Sequence, residues 1–291
     1  MTPLRQRMLE DMRLRNFSPA TQRSYVHYIA AYSKYFGVSP GQLGPEAIRE
    51  YQLYMIDERK MSPESVNCFT SAAKFLYRVT LELPWSNAYF TRSRVPERLP
   101  VILSAMAVSL FFQSVGVLKH RALLMVCYGA GLRIQEAVQL QPAHIESQRM
   151  LIRVEQGKGA KDRYLPLSPR LLAMVREYWR RQQPQGPWLF PGIKPHRHIS
   201  ASTIQEMCRE ATHLAGIGKR VTAHTLRRSF ATHLLENGED IRVIQVLLGH
   251  KRIETTARYT AVTMKKIAAT VSPLDNLPEP KRKRGRPRKN G

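Results

Sequence analysis

The chain has 291 residues, a length that accommodates about two domains of ordinary size, each with its own core. Its 46 Lys and Arg outnumber its 22 Asp and Glu, giving a net charge of +24; residues 281–291 hold seven of these cations, so the preceding part of the chain still carries +17. A body this basic predicts a polyanionic partner, of which nucleic acid is the commonest, and the lack of a long apolar run argues against a chain that spans a membrane.

The three cysteines and the first residues indicate the compartment. Cys68, Cys127 and Cys208 are odd in number, widely spaced and without a CxxC pair, so we expect reduced, mostly buried thiols and no structural zinc site. The opening MTPLRQRMLEDM lacks the apolar segment of a secretory signal. These features predict a cytoplasmic protein with no membrane partner and no metal.

Residues 1–90 predict a small helical domain. Ser18-Pro19 and Ser62-Pro63 are typical helix starts, a capping hydroxyl followed by a proline in the first turn, and Gly37 is a typical helix stop. Apolar residues recur at helical spacing between these signals, and we expect them to form the core: Tyr25, Ile29, Tyr32, Phe36, Ile48, Tyr51, Met55, Val66, Phe69, Ala73 and Leu76. The basic residues among them either face phosphates or are merely solvated, and the sequence leaves both open: Arg23, Lys34, Arg59 and Lys74.

Residues 91–103 are interpreted as a basic linker between two domains. The segment TRSRVPERLP is rich in proline and arginine and holds little that could pack. A linker of this composition is suited to lie along DNA.

The second domain, expected over residues 104–275, is predicted to be helical apart from one hairpin. An apolar helix runs from Leu123 to Gly131, and helical spacing resumes after Arg133, which places Arg133 at a helix start, where backbone N–H groups favour an anion. Residues 149–167 change to strand chemistry, with MLIRV and YLPL flanking a turn that presents Lys158 between two glycines. Taken alone, a solvent-exposed lysine is the ordinary interpretation of that turn.

The last part of this domain combines a tyrosine, two histidines and an arginine. His224 and Arg227 lie three apart and share a helix face, His250 follows the helix stop Gly249, and Tyr259 comes nine residues later. A tyrosine hydroxyl has a pKa of about 10, so it needs a neighbouring base and phosphate-binding cations before it can attack a phosphodiester. Histidine exchanges protons near neutrality and arginine holds phosphate oxygens in pairs, so the set predicts covalent attack on a phosphodiester.

Five motifs occur in a specific order: GLRIQE around Arg133, GKGAKDRYLPL around Lys158, then HTLRRSFATHLL, LLGH and ARYTAV. Together they resemble the catalytic domain of tyrosine recombinases, the phage-integrase and Xer-like family, over roughly residues 100–265. The first domain and linker resemble the core-binding, SAM-like domain of that family. The resemblance implies a mainly α (α+β) fold in which a mostly helical catalytic domain contains a small β-sheet or hairpin.

The same resemblance implies the chemistry of the site. Tyr259 would be the nucleophile that forms a 3′-phosphotyrosine, Arg133 and Arg227 would grip the nonbridging oxygens, and Lys158 would protonate the leaving 5′-oxygen. His224 would accept the tyrosine proton or bond the phosphate. The two remaining family positions are His250, which would bond a nonbridging oxygen, and Glu136, which would support the site from behind Arg133. No metal or other cofactor is implied.

Departures from the family pattern and other histidines are weaker signals. Arg228 and Ala261 stand where many relatives have histidines; neither change removes a catalytic group, and their effect is open. His196 and His198 are expected in a solvated loop rather than on a metal, because no HExxH or cysteine cluster accompanies them. His233 is expected to be packed or hydrogen-bonded structurally.

Residues 276–291 form a basic tail that we expect to be disordered when free. Arg284 and Arg286 belong to an RGRP sequence that matches the core of an AT-hook, which lays arginines into narrow A·T-rich minor grooves. The alternative is a nonspecific polybasic segment that adds phosphate contacts.

The sequence thus predicts a site-specific DNA recombinase or integrase of a mobile element. Its expected partners are double-stranded DNA and three further copies of itself in a homotetramer on two DNA sites, while accessory proteins are left open by the sequence. Its expected place is the cytoplasm, in association with the nucleoid. Two alternatives are a type IB topoisomerase-like nicking and closing activity, and a non-catalytic architectural or regulatory DNA-binding protein.

Overall fold

The computed structural model describes residues 2–96, 99–155, 162–194 and 196–249. The chain forms two compact units, Met1–Arg98 and Leu99–Gly291, and the boundary lies within the segment interpreted above as a linker. Within the described residues, no helix combines the length and the apolarity that crossing a membrane requires.

The first unit contains four α-helices in the part that the structure describes. They are α1 (Pro3–Leu14), α2 (Pro19–Phe36), α3 (Glu46–Asp57) and α4 (Pro63–Phe75), which continues as a π-helical segment, Leu76–Thr80. Single-turn 3₁₀ helices occur at Pro40–Gln42 and Asn87–Tyr89. The predicted signals are confirmed: Ser18 and Ser62 accept a hydrogen bond from the third helical N–H, and Gly37 ends α2 with a φ of 70°.

The core of this unit is aromatic, as the spacing predicts. Tyr32, Phe69 and Leu76 are fully buried, and Tyr32 lies edge-on to Tyr51 with ring centroids 5.3 Å apart. The basic residues whose role the sequence left open are all exposed: Arg23, Lys34, Arg59 and Lys74. Helix α1 has no counterpart among the elements predicted from sequence; it buries Met8 and Met12.

Two buried amides hold the first residues of the predicted linker. The Asn67 side chain donates to the Ser93 carbonyl and accepts from the Ser93 N–H, each at 2.9 Å. Gln52 donates to the Thr91 carbonyl at 2.8 Å and to Thr70 at 2.6 Å. Because the backbone of alternate residues is bonded in this way, the segment begins as an ordered extension of the first unit although its own side chains pack little.

The second unit contains seven further helices in its described part. They are α5 (Ala105–Ser114), α6 (Leu118–Gly129), α7 (Ile134–Val138), α8 (Pro169–Gln182), α9 (Ala201–Leu214), α10 (Ala223–Glu236) and α11 (Ile241–Leu248). A single-turn 3₁₀ helix, Pro142–His144, precedes the sheet.

The sheet of the second unit has three antiparallel strands in the order β1-β2-β3: β1 (Ile145–Glu146), β2 (Leu151–Val154) and β3 (Arg163–Pro166). The register pairs Val154 with Arg163 and Ile152 with Leu165. The predicted hairpin is confirmed as β2 and β3, and β1 is a strand that the sequence did not predict. The mainly α (α+β) class is likewise confirmed.

The core of the second unit joins α6 and α10 with the inner face of the sheet. Leu123, Leu124 and Val126 of α6, Leu226 of α10 and Ile152 of β2 are all fully buried. The two central helices pack on each other, which fixes the turn after α6 beside the middle of α10. That turn carries Arg133.

Candidate active site

The structure describes four of the residues predicted to form the site. Arg133, Glu136, His224 and Arg227 lie on α7 and α10 or at their starts. The other predicted site residues lie outside the described residues: Lys158, His250, Tyr259, Arg284 and Arg286.

Arg133 caps the start of α7, as predicted, but the anion at that helix start is a side chain of the same helix. The Arg133 backbone N–H donates to Glu136 Oε2 at 2.8 Å, and its Nη1 donates to Oε1 at 2.8 Å. The helix has only five residues and ends at Val138. Arg133 keeps a quarter of its side chain exposed, which leaves it accessible from outside.

Glu136 is the centre of an arginine cluster. Arg163, at the start of β3, donates to both of its oxygens, at 3.0 Å from Nη1 and 2.7 Å from Nη2, and Arg227 Nη1 lies 3.9 Å from it. Burial alone would raise the pKa of Glu136, but the hydrogen bonds and charges of Arg163 and Arg133 outweigh it and lower that pKa. The carboxylate is therefore ionised at neutral pH, as its predicted supporting position requires.

Arg163 is a site residue that sequence reasoning missed. It stands within the GKGAKDRYLPL motif, but its neighbours along the chain indicate no role, because its partners are distant in sequence. Its Nε donates to the Leu247 carbonyl at 3.1 Å, and its guanidinium lies against Gly249.

Arg227 is buried at the middle of the second unit, with 1% of its surface exposed. The capping box of Thr222 and Thr225 starts α10 at Ala223, four residues before Arg227, and this sets the face on which Arg227 and His224 project. The guanidinium donates through Nη1 to the Gly131 carbonyl and through Nη2 to the Leu248 carbonyl. It thus ties the turn before α7 to the end of α11.

The three arginines each bond one of three successive carbonyls, those of the last two residues of α11 and of its cap, Gly249. Arg163 bonds Leu247, Arg227 bonds Leu248, and Arg133 Nη2 bonds Gly249 at 3.2 Å. Cations stabilise the carbonyl end of a helix because the unpaired oxygens carry partial negative charge. Gly249 has a φ of 57° and ends α11, which confirms it as the predicted stop.

His224 reaches the surface beside these cations, and its pKa falls accordingly. Partial desolvation of the ring, together with the charges of Arg228, Arg227 and Arg133, lowers the pKa from 6.5 to about 4. The imidazole is therefore neutral at pH 7 and able to accept a proton. Arg228, one of the two departures from the family pattern, contributes to this shift.

The arrangement favours an anionic ligand. Arg133, Arg163 and Arg227 bring three positive charges against the one negative charge of Glu136, and His224 is neutral. Arg133 is the most exposed of the three arginines and therefore the cation most accessible to a phosphodiester.

His198, His233 and the three cysteines lie outside the arginine cluster. His233 is bonded to the Tyr128 hydroxyl and to the Leu103 carbonyl, each at 2.9 Å, which confirms its structural role. His198 bonds the Ile199 carbonyl at 2.8 Å. Among the described residues no group of His, Cys, Asp or Glu could hold a metal ion. The three cysteines are free thiols, and two of them, Cys127 and Cys208, are buried.

Comparison with known proteins identifies the family. Residues 100–266 match the phage integrase family, and residues 4–87 match the N-terminal SAM-like domain of phage integrases. A putative integrase/recombinase of Sinorhizobium fredii is 49% identical over 96% of this chain and 91% of its own length. The tyrosine recombinase XerA of Pyrococcus furiosus is 32% identical over 94% of this chain and 97% of its own.

A similar fold occurs in a solved structure, the Tn1549 transposon integrase in complex with transposon right end DNA. It superposes with a TM-score of 0.71 at 17% identity, over 92% of this chain and all of that one. The sequence matches and the geometry agree, and the chain belongs to the phage integrase family as a tyrosine-type site-specific recombinase.

Proposed function

We propose that this chain cuts and rejoins DNA at a specific site through a 3′-phosphotyrosine on Tyr259, in the service of a mobile genetic element. The observation that carries the proposal is the arginine cluster around Glu136, whose excess positive charge lies beside a neutral histidine. Such a site binds a phosphodiester and leaves a base ready to take a proton.

In the proposed cleavage step, the Tyr259 oxygen attacks the scissile phosphorus and its proton passes to His224 or to water bonded to it. The bond to the 5′-oxygen breaks, and Lys158 donates a proton to that oxygen. The nonbridging oxygens are held by Arg133 and Arg227, with His250 as a further donor. The new phosphotyrosine ester retains the energy of the ester that was broken, so religation needs no nucleotide.

The environment of His224 supports its role as proton acceptor. With a pKa of about 4, the ring is neutral throughout the physiological range and would gain basicity when an anion binds nearby. Glu136 acts indirectly: by bonding the backbone N–H and the guanidinium of Arg133, it fixes both ends of that residue.

The partner in this proposal is double-stranded DNA. The net charge of +24 and the exposed cations of the first unit suit a phosphate backbone, and the Tn1549 transposon integrase, which has a similar fold, was solved in complex with transposon right end DNA. We further propose a homotetramer on two DNA sites, assisted by accessory proteins and associated with the nucleoid. The domain limits proposed are core-binding over 1–90, linker over 91–103, catalytic over 104–275 and basic tail over 276–291.

The test uses target DNA with a nick just beyond the scissile phosphate. After attack the short fragment diffuses away, so no 5′-hydroxyl remains to reverse the step and a covalent adduct accumulates. We expect the wild-type protein to form this adduct in the presence of chelator and Tyr259→Phe to bind DNA without forming it. Arg133→Ala should lower the rate by orders of magnitude, because transition-state charge stabilisation is lost.

Two outcomes would contradict the proposal. An adduct that persists in Tyr259→Phe, or one that requires a divalent metal, would exclude the mechanism. Binding without any adduct by the wild type on verified target DNA would favour an architectural protein. Relaxation of supercoiled DNA of unrelated sequence, without strand exchange, would favour a type IB topoisomerase-like activity.

A further inference from the structure

We propose that Arg163 is a positioning residue for cleavage: it holds Glu136, and through it Arg133, in register with the end of α11. The inference rests on the proposed function, since it concerns the rate of the same step. Arg163 itself need not touch the substrate, because its side chain is only 10% exposed, against 25% for Arg133.

The first support is the way the carboxylate is shared. Glu136 Oε1 accepts from Arg133 Nη1 at 2.8 Å and from Arg163 Nη1 at 3.0 Å. Glu136 Oε2 accepts from the Arg133 backbone N–H at 2.8 Å and from Arg163 Nη2 at 2.7 Å. Each oxygen therefore joins the two arginines, and without Arg163 the carboxylate could rotate and carry the Arg133 guanidinium with it.

The second support is the hydrogen bond from Arg163 to α11. Its Nε donates to the Leu247 carbonyl at 3.1 Å, so the guanidinium edge that does not face Glu136 fixes the last turn of α11. A Cβ added to Gly249 would lie 3.3 Å from Arg163 Cδ and Nε, so the chain there lies close against this side chain. The residue that follows Gly249 in the sequence is His250.

The third support is the anchoring of Arg163 itself. It begins β3 and pairs with Val154 of β2, whose side chain is buried, so its Cα is fixed by the sheet. One planar side chain thus joins the sheet, α7 and α11. A lysine cannot replace it, because a single ammonium on a flexible stem cannot satisfy both carboxylate oxygens and the Leu247 carbonyl in one geometry.

The experiment measures adduct formation on the nicked target at saturating protein, and affinity by gel shift. The variants are Arg163→Lys and Arg163→Gln, with Arg149→Met as the control. Like Arg163, Arg149 lies next to the sheet and forms an ion pair, in its case with Glu146, but its side chain is 62% exposed. We expect Arg163→Lys to slow cleavage about 100-fold with affinity unchanged within about twofold, because small misplacements of a catalytic group cost rates of this order. Arg149→Met should cleave like the wild type.

A second substrate separates positioning from general damage to the fold. A methylphosphonate at the scissile position removes the charge of one nonbridging oxygen, so less depends on the arginine that stabilises it. If Arg163 acts through Arg133, the ratio of the wild-type rate to the Arg163→Lys rate should be smaller on the methylphosphonate than on the phosphate substrate. The same decrease is expected for Arg133→Ala. A smaller folded fraction would lower both rates by one factor and leave the ratio unchanged.

The outcomes are distinguishable from those of the proposed function. If the wild type forms the adduct and a folded Arg163→Lys or Arg163→Gln cleaves at the wild-type rate, the inference is wrong while Tyr259 chemistry stands. An equal loss on both substrates also overturns it. Of the two Arg163 variants, the one whose circular dichroism spectrum matches that of the wild type is used for this comparison. If the wild type forms no adduct at all, the proposed function itself is rejected.

Discussion

Replacing Glu136 with glutamine removes a buried negative charge while preserving the shape of the side chain. In the native protein the carboxylate accepts four N–H donors, two from Arg133 and two from Arg163, at 2.7–3.0 Å. An amide offers one oxygen in place of two, and its NH₂ group would face guanidinium donors. The three arginines would then lose the carboxylate that they share, and one of them, Arg227, is only 1% exposed.

The expected loss of stability follows from this burial. Removing one partner of a buried ion pair costs about 3–5 kcal/mol, and the partial exposure of Arg133 argues for the lower end, about 3 kcal/mol. In a unit of this size each kcal/mol corresponds to about 2–4 °C, so Glu136→Gln should melt about 6–12 °C below the wild type at pH 7.

The pH dependence provides an independent check. The folded-state pKa of Glu136 is depressed, so its contribution is present above the ordinary value of 4.5 and is lost as pH falls through that value towards the folded pKa. The difference in Tm between wild type and variant should therefore narrow below about pH 4.5.

Thermal unfolding by circular dichroism measures both effects, with Glu146→Gln as the control. Glu146 also pairs with an arginine, Arg149 at 2.9 Å, but that arginine is 62% exposed, so the change should cost less than about 1 kcal/mol. If Glu136→Gln melts within about 2 °C of the wild type at pH 7, the carboxylate does not hold the cluster together and the reasoning fails.

The remaining predictions concern the turn at Gly131, the proton acceptor His224, the proton donor Lys158 and the C-terminal basic tail. Gly131→Ala should destabilise the protein by more than about 2 kcal/mol, because the added Cβ would lie 2.5 Å from the Phe230 ring of α10. Gly216 has the same φ of 63° but open space around it, so Gly216→Ala should cost only about 1 kcal/mol. Equal Tm shifts for the two variants would show that the clash does not matter. If His224 is the proton acceptor, kcat/KM for cleavage should stay flat to about pH 5 and fall near pH 4, and a limb at pH 6.5 would contradict the lowered pKa. Lys158→Ala should slow cleavage with little change in affinity, and a 5′-bridging sulfur at the scissile bond, a better leaving group, should restore the rate if the lysine is the general acid. Truncation after Pro280 should weaken binding and reduce the salt slope by up to about 0.9 for each of seven lost cations, with a larger loss on A·T-rich flanks only if the tail is an AT-hook.

The parts of the fold that could be predicted are those with local causes. Ser62 accepts the N–H of the third helical residue, and Gly249 takes a left-handed conformation, because these functions need only neighbouring backbone. Helix α1 escaped prediction because its exposed faces are charged and its buried face is two methionines, whose burial depends on the distant segment Leu76–Thr80. Strand β1 has two residues, too few for a period to show, and exists only because β2 pairs with it.

The candidate site likewise contains residues that sequence motifs identify and one residue that they do not. The motifs identified Arg133, Glu136, His224 and Arg227, and α7 and α10 bring them together. Arg163 carries no local sign of its role: Glu136 lies 27 residues before it and Leu247 lies 84 residues after it. A hairpin arginine is usually solvated, and only the packing of β3 against α11 turns this one into a buried bridge.

Helix α10 also shows how the site and the start of the second unit share one support. Arg227 points its guanidinium to the carbonyls of Gly131 and Leu248, while Ser229, two residues on, accepts the Leu103 N–H at 3.0 Å. His233, one turn after Ser229, donates from Nε2 to the Leu103 carbonyl at 2.9 Å, so both backbone groups of the residue that leads in from the linker are held. Because a helix moves as a rigid element, a displacement of α10 that shifted Arg227 would also break these two bonds. The position of the arginine cluster therefore depends on how Leu103 enters the second unit, as well as on the bonds within the cluster itself.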